Sequence, residues 1–375
     1  MKILYVVSTL RACGPTNQLF YIIKNLDRTK FEPIVLTLSP EPQNSMWSKF
    51  TKLNIALHSL KLNRWQGLLL GANKLKSFVA RQQPDIIHSQ GLRPDSLAAN
   101  CLPDYPTVAT IRNYPYDDYV MKFGKVVGTY SAKQHINAFK KVNCAVACSN
   151  TISNLLEQHG VKSKVICNGV DSDFYTPNYS KDSDISQLKQ KLDLPLDSKI
   201  VVSVGALIAR KQPEMIVKGF LASQAAQNAN TLLLMIGEGN LSESCQAIAN
   251  TSASSSQIKF IGQINNVVDY LRVADCMISA SVSEGLPNSV IEALACGVPV
   301  CLSDIKPHQE ILDLNPEAGV IFPVNNVAAL ANELDKLLGT PSERMSIAAR
   351  EIIDKHLNAR TMSAQYQEIY LALNR

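Results

Sequence analysis

The sequence predicts an α/β protein of two domains, each built on a mostly parallel sheet. Three observations carry that expectation. The 375 residues are enough for two domains with full cores. Short apolar runs alternate with amphipathic segments along the chain, the pattern of strands and the helices that cover them. The stretch 275–300 reads as strand, turn and helix in direct succession, a unit that points backbone N–H groups at an anion.

In the first half, apolar runs at 3–7, 33–38, 55–57, 85–88, 107–111, 144–148 and 165–167 read as strands. After the first, Leu19, Phe20, Ile22, Ile23 and Leu26 share one helical face. The opening apolar stretch is short and closed by Arg11, with no small-residue cleavage site. A buried first strand is expected there rather than a secretion signal. In sheets of this kind ligands bind beyond the carboxyl ends of the strands, so the loops there come next.

The first loop holds Cys13, Gly14, Pro15 and Asn17. Gly14 permits close backbone approach and Pro15 suits a helix start. Two further glycines would be needed for a dinucleotide fingerprint, so a plain tight turn is the other reading. His88 alternates with core residues and reads as structural. Arg93 follows that strand. Beyond the strand at 107–111 come Arg112, Asn113, Asp117 and three tyrosines; Arg112, Asp117 and the tyrosines either shape a binding pocket or pack as an ordinary loop. Residues 121–141 mix five lysines with Val126, Val127, Tyr130, Ile136 and Phe139. Such a segment either lies against anionic lipid or is a core helix with a solvated lysine face.

Asn168-Gly169 marks a turn before the second half. Asp171-Ser172-Asp173 and Asp182-Ser183-Asp184 each spell a pair of carboxylates one residue apart. That is frequent by chance in a polar stretch, and no metal is expected there. The strand at 199–205 ends in Gly205 and is followed by Arg210 and Lys211. A planar fork and a point charge at such a turn suit a diphosphate, although surface cations look the same in sequence. Strands follow at 231–237 and 258–263. In the stretch at 281–300, Glu284 falls in the turn and Glu292 about one turn into the helix. A carboxylate at each end of a phosphate-sized gap can accept hydrogen bonds from sugar hydroxyls. A last edge strand is expected at 319–323, and helices at 328–338, 343–356 and 361–373.

Composition narrows the class. No apolar run is long enough to span a bilayer. The nine cysteines are scattered, without a CxxC pair, so neither zinc nor a disulfide framework is expected and the chain reads as cytoplasmic. Residues 1–170 carry 21 Lys/Arg against 9 Asp/Glu, and the remainder 16 against 23. The basic half suggests an acidic partner or surface, with solvated lysines as the bland reading; nucleic acid is not expected.

Two glutamates separated by seven residues, EGLPNSVIE followed by ALACGVPV, resemble the signature of retaining glycosyltransferases of family 4, of the bacterial surface-polysaccharide type. The resemblance implies a GT-B fold, two Rossmann-like domains facing a cleft. It divides the chain into an acceptor-side domain at 1–170, a linker at 171–197, a nucleotide-sugar domain at 198–355 and a closing segment at 356–375 that crosses back to the first domain.

It also implies roles. Glu284 would contact the transferred sugar and Glu292 would hold the ribose. The backbone of Gly285, Leu286, Pro287, Asn288 and Ser289 would face the diphosphate, with Gly205, Arg210 and Lys211. Backbone near Ile261 and Gln263 would read the base, and Gly14 would lie on the donor side. Asn17, Arg93, Arg112, Asn113 and Asp117 are candidates for the acceptor or sugar side. Cys13, Ala206 and Arg112-Asn113 stand where relatives usually carry a glycine, an arginine and a histidine.

The resemblance thus implies transfer of a hexose or N-acetylhexosamine from a nucleotide-diphosphate sugar, uridine being the commoner base. The acceptor would be a saccharide or lipid-linked saccharide, with no cofactor and no metal; the basic segment 121–141 and the charge of the first half add the expectation of peripheral contact with the cytoplasmic face of the inner membrane. A sugar-nucleotide epimerase and a non-catalytic nucleotide-sugar-binding protein are the rivals.

Overall fold

The structure is a computed structural model that describes residues 1–177, 182–340 and 342–374. The chain divides into two units. Unit 1 is Met1–Gly169 with Ala359–Arg375, and unit 2 is Val170–Asn358.

Unit 1 is built on a seven-stranded sheet: β1 Lys2–Val7, β2 Glu32–Thr37, β3 Ala56–Ser59, β4 Ile86–Gln90, β5 Thr107–Ile111, β6 Cys144–Ala147 and β7 Ser163–Val165. The order is β3-β2-β1-β4-β5-β6-β7, and every pairing is parallel. The apolar runs become strands because helices cover both faces, which buries side chains of either parity. Leu4 and Val6 face one core, with Leu75, Phe78 and Val79. Ile3, Tyr5 and Val7 face the other, with Ile22 and the last helix of the chain.

That last helix, Ala359–Leu373, belongs to unit 1 and places Met362, Tyr366 and Tyr370 in its core. Its hydroxyls meet a buried polar chain. The Tyr370 hydroxyl lies 2.7 Å from His88 Nδ1 and 3.3 Å from the Tyr5 hydroxyl. Thr110 Oγ1 lies 2.7 Å from His88 Nε2 and 2.9 Å from the Tyr366 hydroxyl. Burial, with a smaller push from Arg112, lowers His88 to about 3 and keeps its ring neutral. His88 is structural, as expected.

Unit 2 repeats the plan with six strands: β8 Lys199–Val204, β9 Thr231–Ile236, β10 Ile258–Gly262, β11 Cys276–Ser279, β12 Val300–Ser303 and β13 Gly319–Phe322. The order is β10-β9-β8-β11-β12-β13, again all parallel. In each sheet the chain reverses its direction of travel between neighbouring strands, at β1/β4 and at β8/β11. Ligands of such sheets bind at those switch points, beyond the carboxyl ends.

The stretch 171–197 is not an independent linker. It is packed into unit 2 because its carbonyls are claimed by two arginines. Arg350 donates to the carbonyls of Ser172 and Tyr175, and Arg272 to those of Phe174 and Thr176. It also contains the helix Asp182–Lys191, whose Lys189 donates to the carbonyls of Leu196 and Ser198. The return to unit 1 comes at Ala359 rather than at 356. Residues 178–181 and 375, and the side chains of Asp182 and Ser183 in the second carboxylate pair, lie outside the described residues. No helix among the described residues is long and apolar enough to cross a membrane.

Replacing Tyr370 by Phe leaves His88 Nδ1 and the Tyr5 hydroxyl without their buried partner. The expected loss is about 1–3 kcal/mol of unfolding free energy, to be read from urea denaturation. An unchanged midpoint would show that the last helix is held by apolar contact alone.

Candidate functional site

The site in unit 2 forms where β8 and β11 lie side by side. After β8 the chain passes Gly205 and makes a short turn of 3-10 helix, Ala209–Lys211. After β11 it turns through 280–287 into the helix Asn288–Ala295. The backbones of the two loops are joined, since Val282 N–H donates to the Arg210 carbonyl at 3.0 Å. The loop after β9 is tied in by close approach. A Cβ on Gly237 would stand 2.0 Å from the Gly205 carbonyl oxygen, so only glycine fits.

Glu284 is the centre of this arrangement. Its side chain is 6% exposed. Lys211 Nζ lies 2.5 Å from one carboxylate oxygen and Arg210 Nη1 2.7 Å from the other. Arg210 Nη1 also donates to the Ser283 carbonyl at 2.7 Å, and Ser281 Oγ donates to Glu284 at 2.8 Å. Burial alone would raise the carboxyl, but Lys211 and Arg210 overcome it and hold it at about 2. Glu284 is therefore ionised throughout the neutral range. It cannot serve as a proton donor there, but it can accept hydrogen bonds from sugar hydroxyls and fix both cations.

Glu292 lies one turn into the helix. Burial raises it to about 7, against the opposing effects of a hydrogen bond from Tyr175 and the charge of Lys211. Lys211 thus acts electrostatically on both glutamates. The helix between them starts at Pro287, whose side chain cannot cap it, and its first turn holds no acidic residue. Gly285, Leu286 and Pro287 are buried, while Asn288 and Ser289 are partly exposed at that positive end. On the other side of β8, Ile261 is half-buried near the end of edge strand β10 and Gln263 is exposed just past it. The Gln263 N–H points at Glu238, 3.4 Å away.

Sequence reasoning missed the groups beneath Glu284. His308 is buried within 3.3 Å of Ser279 Oγ and 3.1 Å of Ser303 Oγ. Ser303 Oγ donates to the Ser281 carbonyl at 2.6 Å. Burial holds His308 at about 4, so it is neutral. This polar layer sets the Ser281 backbone, and Ser281 in turn holds Glu284. Only Ser281 is near Glu284 in sequence; His308 and Ser303 come from the next strand and helix. Tyr175, the partner of Glu292, comes from the stretch read as a linker.

In unit 1 the other candidates gather at the carboxyl edge of the first sheet. Gly14 and Asn17 open the helix Gly14–Lys24 after β1. Gln90, at the end of β4, bridges to that loop by donating to the Pro15 carbonyl and accepts from Arg112 Nε at 3.3 Å. Arg112 is buried and also donates to Asn168 Oδ1 at 2.5 Å. Asn113 is half-buried beside it, and Asp117 is exposed in the first turn of the helix Pro115–Phe123. Arg93 stands apart from this group: it reaches Ser39 Oγ, after β2, at 3.0 Å. Among the described residues no cluster of three His, Cys, Asp or Glu side chains could hold a metal ion.

Two family models divide the chain between them. The model of the glycosyl transferases group 1 matches residues 184–352, and that of glycosyltransferase family 4 matches residues 13–174. A relative from Escherichia coli, the O-antigen biosynthesis glycosyltransferase WclY, is 22% identical over 99% of this chain and 98% of its own. Among solved structures, sucrose-phosphate synthase from Thermosynechococcus elongatus superposes with a TM-score of 0.83 at 18% identity, covering 100% of this chain and 99% of that one. Anabaena HepE, solved in complex with UDP, gives a TM-score of 0.82 at 17% identity, covering 99% and 100%. The chain belongs to the group 1, family 4 glycosyltransferases and has their GT-B fold of two Rossmann-like domains.

Proposed function

We propose that the protein transfers a hexose or N-acetylhexosamine, with retention at the anomeric carbon, from a nucleotide-diphosphate sugar to a saccharide or lipid-linked saccharide. The observation that carries the donor half is the ion cluster of Glu284, Arg210 and Lys211 beside the start of helix Asn288–Ala295, where Pro287 supplies no side-chain cap. Two cations and a helix N-terminus stabilise a departing diphosphate by fixed charge, which lets the reaction run without a metal. Glu284, ionised and anchored, accepts from the hydroxyls of the transferred sugar. Glu292 accepts from the ribose. Ile261 and Gln263 lie on the same carboxyl edge of the sheet, where backbone groups would meet the base. Both oxygens of Glu284 are engaged by Arg210, Lys211 and Ser281, which disfavours it as a nucleophile. Front-face attack, with a donor phosphate oxygen taking the acceptor proton, is accordingly the mechanism we favour. Uridine is the base we favour, because HepE was solved with UDP. The O-antigen assignment of WclY supports a role in surface-polysaccharide assembly, which we place at the cytoplasmic face of the inner membrane.

The test is calorimetric titration with uridine- and guanosine-diphosphate sugars in the presence of chelator. Binding of one nucleotide class that survives chelator supports the reading, and dependence on a divalent ion overturns its metal-free part. Glu284→Ala is expected to lower turnover by about 100-fold or more, while Glu292→Ala mainly weakens donor affinity. Equal, small effects of the two changes would argue against the roles assigned.

Glu292 also gives a pH signature. Its carboxyl is held at about 7 in the free protein, and a ribose diol donating two hydrogen bonds favours the ionised form. Donor affinity should therefore fall as pH drops below about 7, with proton release on binding near that pH. Calorimetry in buffers of different ionisation enthalpy would detect the proton, and Glu292→Gln should abolish its release.

A further inference from the structure

The helix Arg64–Gln82 is built inside out at its start. Its buried positions in the first two turns are glycines, Gly67 and Gly71, whereas Trp65, Leu68 and Leu69 are each at least 75% exposed. A helix of a soluble domain normally turns its apolar stripe to the core. Here the core side is taken by Arg93, whose guanidinium lies so close that a Cβ on Gly67 would stand 2.1 Å from its Nη2. The large apolar side chains are left outside. Only from Leu75 on, with Phe78 and Val79, does the helix bury them.

A second exposed apolar group lies on the hairpin of helices Pro115–Phe123 and Lys125–Phe139. It comprises Met121, Phe123, Val126, Val127 and Tyr130, about the turn at Gly124. The helix Leu92–Cys101 packs against both Arg64–Gln82 and Lys125–Phe139, so all three lie on one face of the first sheet. Arg64–Gln82 and Leu92–Cys101 each begin at the carboxyl edge, because each returns from a parallel strand. At about 1.5 Å per residue, the 19 residues of Arg64–Gln82 outreach the five of β4 by roughly two turns. The hairpin, whose first helix leaves that same edge after β5, carries its apolar group about its turn.

Charge supplies the partner's chemistry. Residues 42–84 hold seven Lys/Arg and no Asp or Glu, and residues 119–156 hold five lysines and no acid. Lys61, Arg64, Lys122 and Lys125 are exposed beside the apolar groups. A groove of about 740 Å³ lined by Trp65, Leu68, Leu97 and Arg93 brings a guanidinium, with an unpartnered buried N–H on Nη2, next to apolar wall. Apolar side chains ringed by cations fit a surface with anionic headgroups over hydrocarbon.

We propose that this rim, the first two turns of Arg64–Gln82 together with the 115–139 hairpin, docks unit 1 on an anionic lipid bilayer. The inference deepens the proposed function, since a lipid-linked acceptor would be met at the same edge as Arg112 and Asn113.

The experiment is co-sedimentation of the full chain with vesicles of phosphatidylglycerol and phosphatidylcholine, against phosphatidylcholine alone, at low and high salt. Trp65, one of two tryptophans, reports the same event by a blue shift of its emission. The wild type should bind anionic vesicles at least ten-fold better than neutral ones and release in high salt. Leu68→Ser with Leu69→Ser, and separately Val126→Ser with Val127→Ser, should each lower binding several-fold. Circular dichroism and donor-sugar binding should stay as in the wild type, which separates loss of docking from misfolding. Donor binding without vesicle binding overturns the docking surface alone; vesicle binding without donor binding overturns the proposed function alone. Wild-type binding of anionic vesicles that both variants retain would also overturn the docking surface. So would a dimer abolished by the leucine changes with no vesicle binding, which would assign the face to a second copy.

Discussion

The second unit depends on a buried carboxylate neutralised from two sides. Removing an ion of this size from water costs several kcal/mol even after relaxation. Glu284 sustains that cost because Lys211 and Arg210 each engage one of its oxygens and Ser281 adds a hydrogen bond. The pairing does more than balance charge. It joins the loop after β8 to the loop after β11, across the point where the sheet reverses its order. Either cation without Glu284 would be an uncompensated charge at a strand end. Together they form a rigid cluster that carries net positive charge before any anion arrives. Preorganisation of this kind is what a leaving diphosphate requires, because the donors need not move when charge develops.

The layer below the cluster explains how a turn rich in flexible residues holds one geometry. His308 and Ser303 stand on elements that follow the turn by about 20 residues, yet they fix the backbone at Ser281. The histidine is neutral and acts only through hydrogen bonds. Tyr175 does the equivalent for Glu292 from the other side. The two glutamates thus share a motif but not a state: one is ionised by its cations, the other raised toward neutrality by burial. That difference fits the separate roles proposed for them, Glu284 at the transferred sugar and Glu292 at the ribose.

The first unit solves another problem. Its core is closed by the last helix of the chain, whose tyrosines complete a buried hydroxyl chain around His88. Its carboxyl edge is held by neutral amides: Gln18 exchanges hydrogen bonds with Gly169, and Gln90 and Asn168 bind Arg112. The lysine-rich segment 121–141 divides at Gly124 into a hairpin, burying Ile136 and Phe139 while exposing Val126, Val127 and Tyr130. The core-helix reading holds at the buried end, and the exposed basic and apolar end is the surface for which lipid contact is proposed.

Local sequence alone set the two parallel sheets, the position of the turn into helix Asn288–Ala295 and the two glutamates on it. These are local properties. Apolar runs set strands, Gly285 to Pro287 with the following apolar run set a turn into a helix, and Glu284 and Glu292 fall on that one piece of chain with seven residues between them. Tertiary structure decided what depends on contacts between distant segments. It paired Glu284 with Arg210 and Lys211, and it placed Tyr175 against Glu292 and His308 beneath Ser281. It also turned Leu68, Leu69 and Leu70 of Arg64–Gln82 outward. Periodicity shows that a helix has an apolar stripe, but which stripe meets the core depends on what the neighbouring helix brings. Here that is the guanidinium of Arg93, which lies directly against Gly67.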